Sequence, residues 1–550
     1  MMDMSLLLLL TIALPLAGCV LMGAVSKSGP YAARRFALVV SLLTLVGAAV
    51  VIVNFPSDGA GAERYALTDV SWLGGTSPFI DIRFSLGLDG LGLWLFGLTT
   101  LLVVTSVLVS WNAIEERPAL FYGMLLLLEF GCLGVFCARD VILFYVFFEF
   151  TLIPLFFLIG IWGSEERRYA AIKFFLFTLA GSMLTFLGLL SIVLWDYFHS
   201  GLGILRFSIP ELTESLSVHP IQPLYWQVLI FWALFAGFAI KVPLFPLHTW
   251  LPLAHVQAPT AGSVILAGIL LKIGTYGFLR FNIPMLPAAS VHCVPWMFWL
   301  SVLGIIYGAL VALAQTDIKR LIAYSSVSHM GFCMLGLFAL NRPGVQGGSL
   351  QMINHGLSTG ALFAIVGMLY ERYHTREIRS FGGLARRMPW LAFFMLLFTF
   401  SSIGLPGLNG FVGEFLVLLA GFQRAWTGVA QPWVFSLRFA SVLAVLGVVL
   451  GAWYMLWLYQ RVFFGGLREP KVSGSSHGHG TDDLGWREIF ALTPLAVFVL
   501  WIGLQPKFFL DRMAPTVDNA IAASVRSVVA GEPIAARSEA SESEASVRVR

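Results

Sequence analysis

The stretch WQVLIFWALFAGFAIKVPLFPLHTW, residues 226–250, holds one formal charge, Lys241, and two prolines just beyond it, Pro243 and Pro246. A bilayer core about 30 Å thick needs roughly 20 apolar residues per helix, so a run of this length crosses it. The prolines lack backbone N–H groups, so the carbonyls of Ala239 and Val242 are expected to lose their helical partners. A helix broken beside a buried lysine leaves carbonyls that can orient water next to the amine. Two features thus sit together here: a membrane span, and a reason for that span to be irregular.

Runs of the same kind recur along the chain. Of its 550 residues 58% are hydrophobic and 12% charged, against roughly 25% charged in an ordinary soluble domain. The apolar runs predict about fourteen spans, near 5–24, 36–53, 90–110, 119–137, 141–163, 169–195, 226–250, 261–280, 294–314, 321–340, 349–370, 389–422, 436–462 and 488–505. The fold class is an all-α integral membrane protein. The first run could be taken for a signal peptide, but its first basic residue, Lys27, follows the apolar stretch, so it is expected to remain as a helix. Residues 54–88 and 196–225 are expected to be extramembrane excursions, 463–487 a polar loop, and 513–550 a polar tail without structure.

The twelfth run contains SSIGLPGLNGFVGEF, residues 401–415, where Pro406 and Gly404, Gly407, Gly410 and Gly413 predict a second broken helix. Interrupted helices at matching places in two halves point to an inverted-repeat transporter. The expected organisation is helices one to three in 1–118, a first five-helix repeat in 119–280 with helix seven broken, an inverted second repeat in 294–462 with helix twelve broken, and a last helix at 488–505. Lysine and arginine in the loops, among them Arg34, Arg35, Arg167, Arg168, Lys319, Arg320, Arg386 and Arg387, place both termini outside by the positive-inside rule.

Four charges stand out within apolar runs: Glu149, Lys241, Lys272 and Glu414. Each costs at least about 2.5–3.5 kcal/mol near mid-bilayer, which makes a functional role the default. The plain alternative is that two acids and two lysines pair off to hold helices together. Neutral packing would be less costly in the same places, which favours proton handling. A lysine suits that chemistry because desolvation and a neighbouring carboxylate push its proton affinity in opposite directions. Glu149 is the expected partner of Lys241, with Lys272 next and Glu414 last. Polar residues also recur at helical spacing: Ser325 with His329, Gln351 with His355, Ser358 and Thr359, and Lys272 with Thr275 and Tyr276. His329 and His355 are candidate relays because imidazole titrates near neutrality, although a satisfied core histidine is the simpler reading of either alone. His248 and His255 are placed to line an intake path or to anchor the helix end. Glu129 is a further buried carboxylate without an assigned role.

Other chemistry is disfavoured. The five cysteines are scattered without a CxxC pair, so no iron–sulfur or zinc site is expected. No glycine-rich nucleotide fingerprint is present. The net charge of +4 gives no reason to expect a nucleic-acid partner. His477 and His479 lie in a polar loop whose plain reading is a flexible linker, not a metal site.

At these residues the chain resembles the antiporter-like subunits of respiratory complex I. The motifs are KVPLFPLHTWLPLAHVQAPTAGSVILAGILLKIGTYGFLR (241–280), QTDIKRLIAYSSVSHMGF (315–332), GLPGLNGFVGEF (404–415) and FSLGLDGLGLW (84–94), which holds Asp89. Glutamate at 414, where sister subunits carry lysine, and the lack of a long lateral helix resemble the M type. The resemblance implies a translocase subunit without a redox site, which moves protons while NADH reduces quinone elsewhere. It implies an essential pair at Glu149 and Lys241, a central lysine at Lys272 and a terminal acid at Glu414. It also implies L- and N-type membrane neighbours, FMN and iron–sulfur clusters in partner subunits, and a bacterial inner-membrane location. The competing readings are a cation/proton antiporter subunit and a subunit of an energy-converting hydrogenase. The isolated chain is expected to bind no flavin and to oxidise no NADH; stoichiometric flavin in the pure subunit, measured by fluorescence after acid release, would overturn this reading.

Overall fold

A computed structural model describes residues 3–56, 61–74, 79–426, 433–470 and 482–530. His477 and His479, and the tail past 530, lie outside the described residues. In chain order the elements are α1 (Met4–Val25), α2 (Pro30–Val53), β1 (Tyr65–Leu73), β2 (Ile80–Leu88), α3 (Gly90–Val109), α4 (Pro118–Cys137), α5 (Val141–Phe150), α6 (Leu152–Trp162), α7 (Arg167–His199), β3 (Leu205–Arg206), α8 (Ile209–Val218), α9 (Leu224–Lys241) and α10 (Trp250–Gln257). The eighth crossing is α11 (Thr260–Ile265), α12 (Leu271–Gly277) and α13 (Ile283–Met285), joined by π-helical segments at Leu266–Leu270 and Phe278–Asn282. Then follow α14 (Pro287–His292), α15 (Val294–Leu313), α16 (Ile318–Phe338), α17 (Arg342–Tyr373), α18 (Pro389–Ser402), α19 (Asn409–Trp426), α20 (Val434–Phe463), α21 (Trp486–Leu504) and α22 (Lys507–Ala530).

Thirteen of the described helices are long and apolar enough to cross a membrane. The broken pair α18 and α19 makes the fourteenth crossing, as the run at 389–422 predicts. Spans four to eight and nine to thirteen form two runs of five, and the interrupted span is the fourth of each. Several helices start where an acidic or amide side chain caps the first turn, as such residues prefer to do. Asp89 caps α3, Asp140 caps α5, Asp317 caps α16 and Asn341 caps α17.

Burial is uneven. The most apolar stretches of the crossing Thr260–Met285 and of α17 are fully buried, with those of α3 and α16 nearly so, whereas α1, α2 and α20 bury one face. The polar and charged residues singled out above lie mostly on the inner set. Close approach of α16 to α17 depends on small residues, the usual device between membrane helices. A Cβ at Gly336 would lie 2.7 Å from the carbonyl oxygen of Gly344.

Three expectations are corrected. The excursions depart from the all-α expectation: β1 and β2 form an antiparallel hairpin, and β3, from the excursion after α7, pairs parallel to β2 through Ile80–Leu205 and Asp81–Arg206. The tail expected to be without structure from residue 513 begins as helix α22, which packs on α3, α13, α14 and α17. Its apolar side seats Phe509 4.6 Å from Trp94, while Thr516 accepts from the backbone N–H of Gly90 at 3.2 Å. Polar composition misled here because one buried stripe is enough to hold an amphipathic helix. Lys319, assigned to a loop, is buried, and its Nζ donates to the carbonyl of Ala258 at 2.6 Å.

Gly90 has no room for a side chain, since a Cβ there would lie 2.0 Å from the carbonyl oxygen of Arg512. Gly90→Ala should therefore lift α22 and speed tryptic cleavage after Lys507 and Arg512 in detergent; an unchanged digestion rate in the assembled protein would show that α22 is not held at this contact.

Candidate functional site

The first group lies where α5, α7 and α9 meet. Lys241 is the last residue of α9 and is buried. Its Nζ donates to the carbonyl of Phe148 at 3.5 Å and sits 4.1 Å above that residue's ring. Glu149 follows Phe148 on α5, half-buried, with Oε1 enclosed and unpartnered. The expected pair is therefore adjacent but not closed: among the described residues no ion pair joins the two. The lysine instead takes a carbonyl and a ring face, both of which stabilise a cation.

Of the two carbonyls expected to be freed after Lys241, that of Ala239 is paired. The carbonyl of Ala239 accepts from the N–H of Leu244 at 2.9 Å, and that of Ile240 from Trp250 Nε1 at 2.9 Å. Proline removed one donor, and the chain supplied another from one residue further on. Backbone oxygens buried away from water have to be paired. The second break closes in the same manner, with Leu405 N–H donating to the carbonyl of Phe400 at 3.0 Å.

A second group runs through the bundle centre. Lys272, at the start of α12, is fully buried. Its Nζ donates to the carbonyl of Ala267, five residues back at the π-helical turn, and contacts His355 Nδ1 on α17 at 2.6 Å. π-helical turns recur at functional sites because they shift side chains off the regular helical register. The rings of His355 and His329 have centroids 5.7 Å apart. His329 Nδ1, on α16, is 3.3 Å from Glu414 Oε1 on α19, off line for a hydrogen bond. Gln351 Nε2 donates to the same carboxylate oxygen at 3.3 Å. Lys272, His355, His329 and Glu414 thus form one series in which the first step is a direct contact, the imidazoles are separated by a gap, and His329 faces Glu414 without a hydrogen bond.

Amide and hydroxyl side chains that the residue spacing did not reveal hold the second broken span against α17. Asn354 Nδ2 donates to the carbonyl of Asn409 at 2.8 Å and to Gln351 Oε1 at 3.2 Å. Ser401 bridges Asn409 Oδ1 and Ser358. The signal in the sequence was Asn409 within GLPGLNG, the one polar side chain in a break otherwise made of glycine, proline and leucine. Ser325, expected on the His329 stripe, bonds the carbonyl of Ile322 in its own helix.

His248 and His255 follow the first break. His248 packs against Phe245, Tyr307 and Tyr324, with Nδ1 unpartnered. His255 is fully buried, stacked 4.5 Å from Phe363, with both ring nitrogens unpartnered. Glu129 on α4 is likewise buried with both oxygens unpartnered. Among the described residues no cluster of three metal-ligating side chains occurs. The arrangement can pass a proton between nitrogen and oxygen atoms.

Residues 138–450 match the family described as NADH:quinone oxidoreductase/Mrp antiporter, TM. The chain is 41% identical over 507 residues to NADH-ubiquinone oxidoreductase chain 4 of Chondrus crispus, covering 92% of this chain and 96% of that protein. It is 41% identical over 520 residues to NADH-quinone oxidoreductase subunit M of Rhodobacter capsulatus, covering 92% and 95%. Among solved structures, a chain of respiratory complex I from Thermus thermophilus with bound NADH superposes with a TM-score of 0.79 at 31% identity, covering 94% of this chain and 99% of that one. A chain of the Mrp complex from Dietzia shares the fold at 20% identity, with a TM-score of 0.76 over 96% and 100% of the two chains.

Proposed function

This chain belongs to the NADH:quinone oxidoreductase/Mrp antiporter membrane family, and from that membership we infer that it is a proton-translocating membrane subunit of an NADH:quinone oxidoreductase, of the subunit M type. It is a multi-pass membrane protein and works within an assembly of other subunits. Redox chemistry takes place in those other subunits, with FMN and iron–sulfur clusters among their cofactors, and L- and N-type membrane subunits as neighbours. The setting is a bacterial inner membrane with both termini on the outer side. An odd number of crossings in each five-span run makes the second run inverted relative to the first.

The observation that carries the proton path is the contact between Lys272 and His355. An ammonium at Lys272 donates to Nδ1 of His355; once the proton has moved, the imidazolium can release its Nε2 proton toward His329. His329 in turn faces the carboxylate of Glu414, which accepts the proton and passes it out of the bundle. Each step joins groups that both bind and release protons, which general acid–base transfer requires. Lys241 is the loading site for the first half. Moving Glu149 toward or away from its amine switches the amine between holding a proton and giving it to the Lys272 side. Oε1 of Glu149 is unpartnered while Ser182 on α7 bonds the carboxylate, so the movement exchanges one hydroxyl contact for the amine. His248 and His255 line the intake side.

Lys241→Ala should lower NADH-driven proton uptake in vesicles by about a hundredfold, the low end of what a lost proton-transfer group costs, with the complex still assembled on a native gel. Glu149→Gln should act in the same direction and Glu149→Asp retain part of the activity; near-normal pumping by assembled Lys241→Ala would remove this lysine from the path. Glu414→Gln keeps the shape but cannot carry the proton, so pumping should fall with assembly intact. Glu414→Lys should keep appreciable activity, because a desolvated lysine also titrates. Wild-type pumping by Glu414→Gln would make the carboxylate structural.

A further inference from the structure

The eighth crossing carries a second polar line, which leads away from His355. Lys272 and Tyr276 are four residues apart on α12, and Arg280 lies four further on in the π-helical segment. Residues at this spacing stack along one helix face. The line runs from the bundle centre toward the end that bears the β-hairpin, where a proton from Lys272 would leave without reaching Glu414. The groups along it are joined differently from those of the relay.

Tyr276 is fully buried, and its hydroxyl accepts from Arg280 Nε at 3.1 Å and from a terminal guanidinium nitrogen at 2.9 Å. The same hydroxyl donates to the carbonyl of Phe136 at 3.4 Å. The terminal nitrogen also reaches Asp89 Oδ2, an ion pair of a buried carboxylate with a mostly buried guanidinium. Oδ1 of Asp89 is committed to the N–H groups of Leu91 and Gly92 at the start of α3. Arg139 adds a second positive charge toward Asp89. Helix α22 covers the cluster, bonded to Gly90 through Thr516.

A hydroxyl relays a proton only if it accepts from one side and releases to another. Here the donors to Tyr276 belong to a guanidinium, which does not deprotonate in proteins, and its own proton rests on a backbone carbonyl. Neither neighbour can carry the proton on. A fixed cation at the end of the line also repels hydronium arriving from the hairpin side, as arginines do in pores that exclude protons.

We propose that Tyr276, Arg280 and Asp89 form a proton-tight plug between Lys272 and the hairpin side of the membrane, which leaves His355 as the way out for the proton on Lys272. This rests on the reading of Lys272 as a carrier of the translocated proton. Arg280 and Asp89 are positioning residues in this scheme: the acid holds the guanidinium over the tyrosine, and the guanidinium blocks the hydroxyl. The plug turns a lysine that could leak in two directions into one that transfers laterally.

The test uses the complete purified complex in liposomes. Passive proton influx is driven by a potassium diffusion potential without NADH and followed with an internal pH dye, and protons moved per NADH are measured in parallel. Because Arg280→Met alone leaves the buried Asp89 without its ion-pair partner, the variant of choice removes both charges, Arg280→Met with Asp89→Asn. It should admit protons severalfold faster than the wild type and move fewer protons per NADH while still oxidising NADH. Adding Lys272→Met should return the influx to the wild-type level, and Arg280→Lys, which retains the cation, should stay tight. Wild-type influx and wild-type proton yield in the assembled double variant would overturn the plug. Influx unaffected by Lys272→Met would overturn the route through that lysine. Normal pumping by Lys272→Met alone would instead refute the underlying relay, an outcome read from the NADH-driven arm and independent of the leak.

Discussion

An amine in the middle of a bundle has to be held by something, and at Lys272 two groups do so: the carbonyl of Ala267 and Nδ1 of His355. The carbonyl is within reach because a π-helical turn precedes the lysine. The imidazole is within reach because α17 lies buried against the same crossing. Desolvation makes an unpaired charge here prohibitive, so the helix irregularity, the neighbouring helix and the histidine are parts of one solution. The remainder of the lateral series continues from that contact through His329 to Glu414.

The same constraint explains why both broken spans are closed. Glycine and proline interrupt α9 and α18, yet the carbonyls released are taken up by Leu244, Trp250 and Leu405. The breaks therefore redirect the chain and present side chains while the carbonyls of Ala239, Ile240 and Phe400 stay paired. Lys241 and Glu414 each stand near such a redirection, close to carbonyl or amide groups that a regular helix would not offer. Their settings still differ. Lys241 rests on Phe148 with its acid nearby but unjoined, whereas Glu414 is held by Gln351 and faces His329.

Outside the bundle core, the hairpin, β3, α8 and α22 gather at one end, where the Asp89–Arg280 pair also lies. Arg372–Glu488 at 2.7 Å and Arg376–Asp317 at 3.4 Å brace the other end. Arginine–carboxylate pairs thus brace both ends, and the hairpin end adds strands and helix α22. Arginine's planar fork suits that task because it meets a carboxylate with two donors at once.

How much of this was legible from the residues follows from what each feature depends on. Glu149, Lys241, Lys272 and Glu414 stood out because a charge in an apolar run is rare and expensive, a property of the local sequence. His329 and His355 stood out through spacing on their own helices, and Pro243, Pro246 and Pro406 marked breaks because a missing N–H is a covalent fact. Contacts between helices were not legible: Lys272 meets His355 across 83 residues, and Arg280 meets Asp89 across 191. Nor were the destinations of the carbonyls freed by proline, the burial of Lys319, or the folding of residues 507–530 onto α3. The sequence by itself determined which segments enter the membrane and which side chains would be costly there, because insertion is decided helix by helix through hydropathy. Only the tertiary structure decided which of those side chains meet one another and which are tied to a guanidinium or to backbone, because a partner's distance and its free lone pair are set by packing between helices.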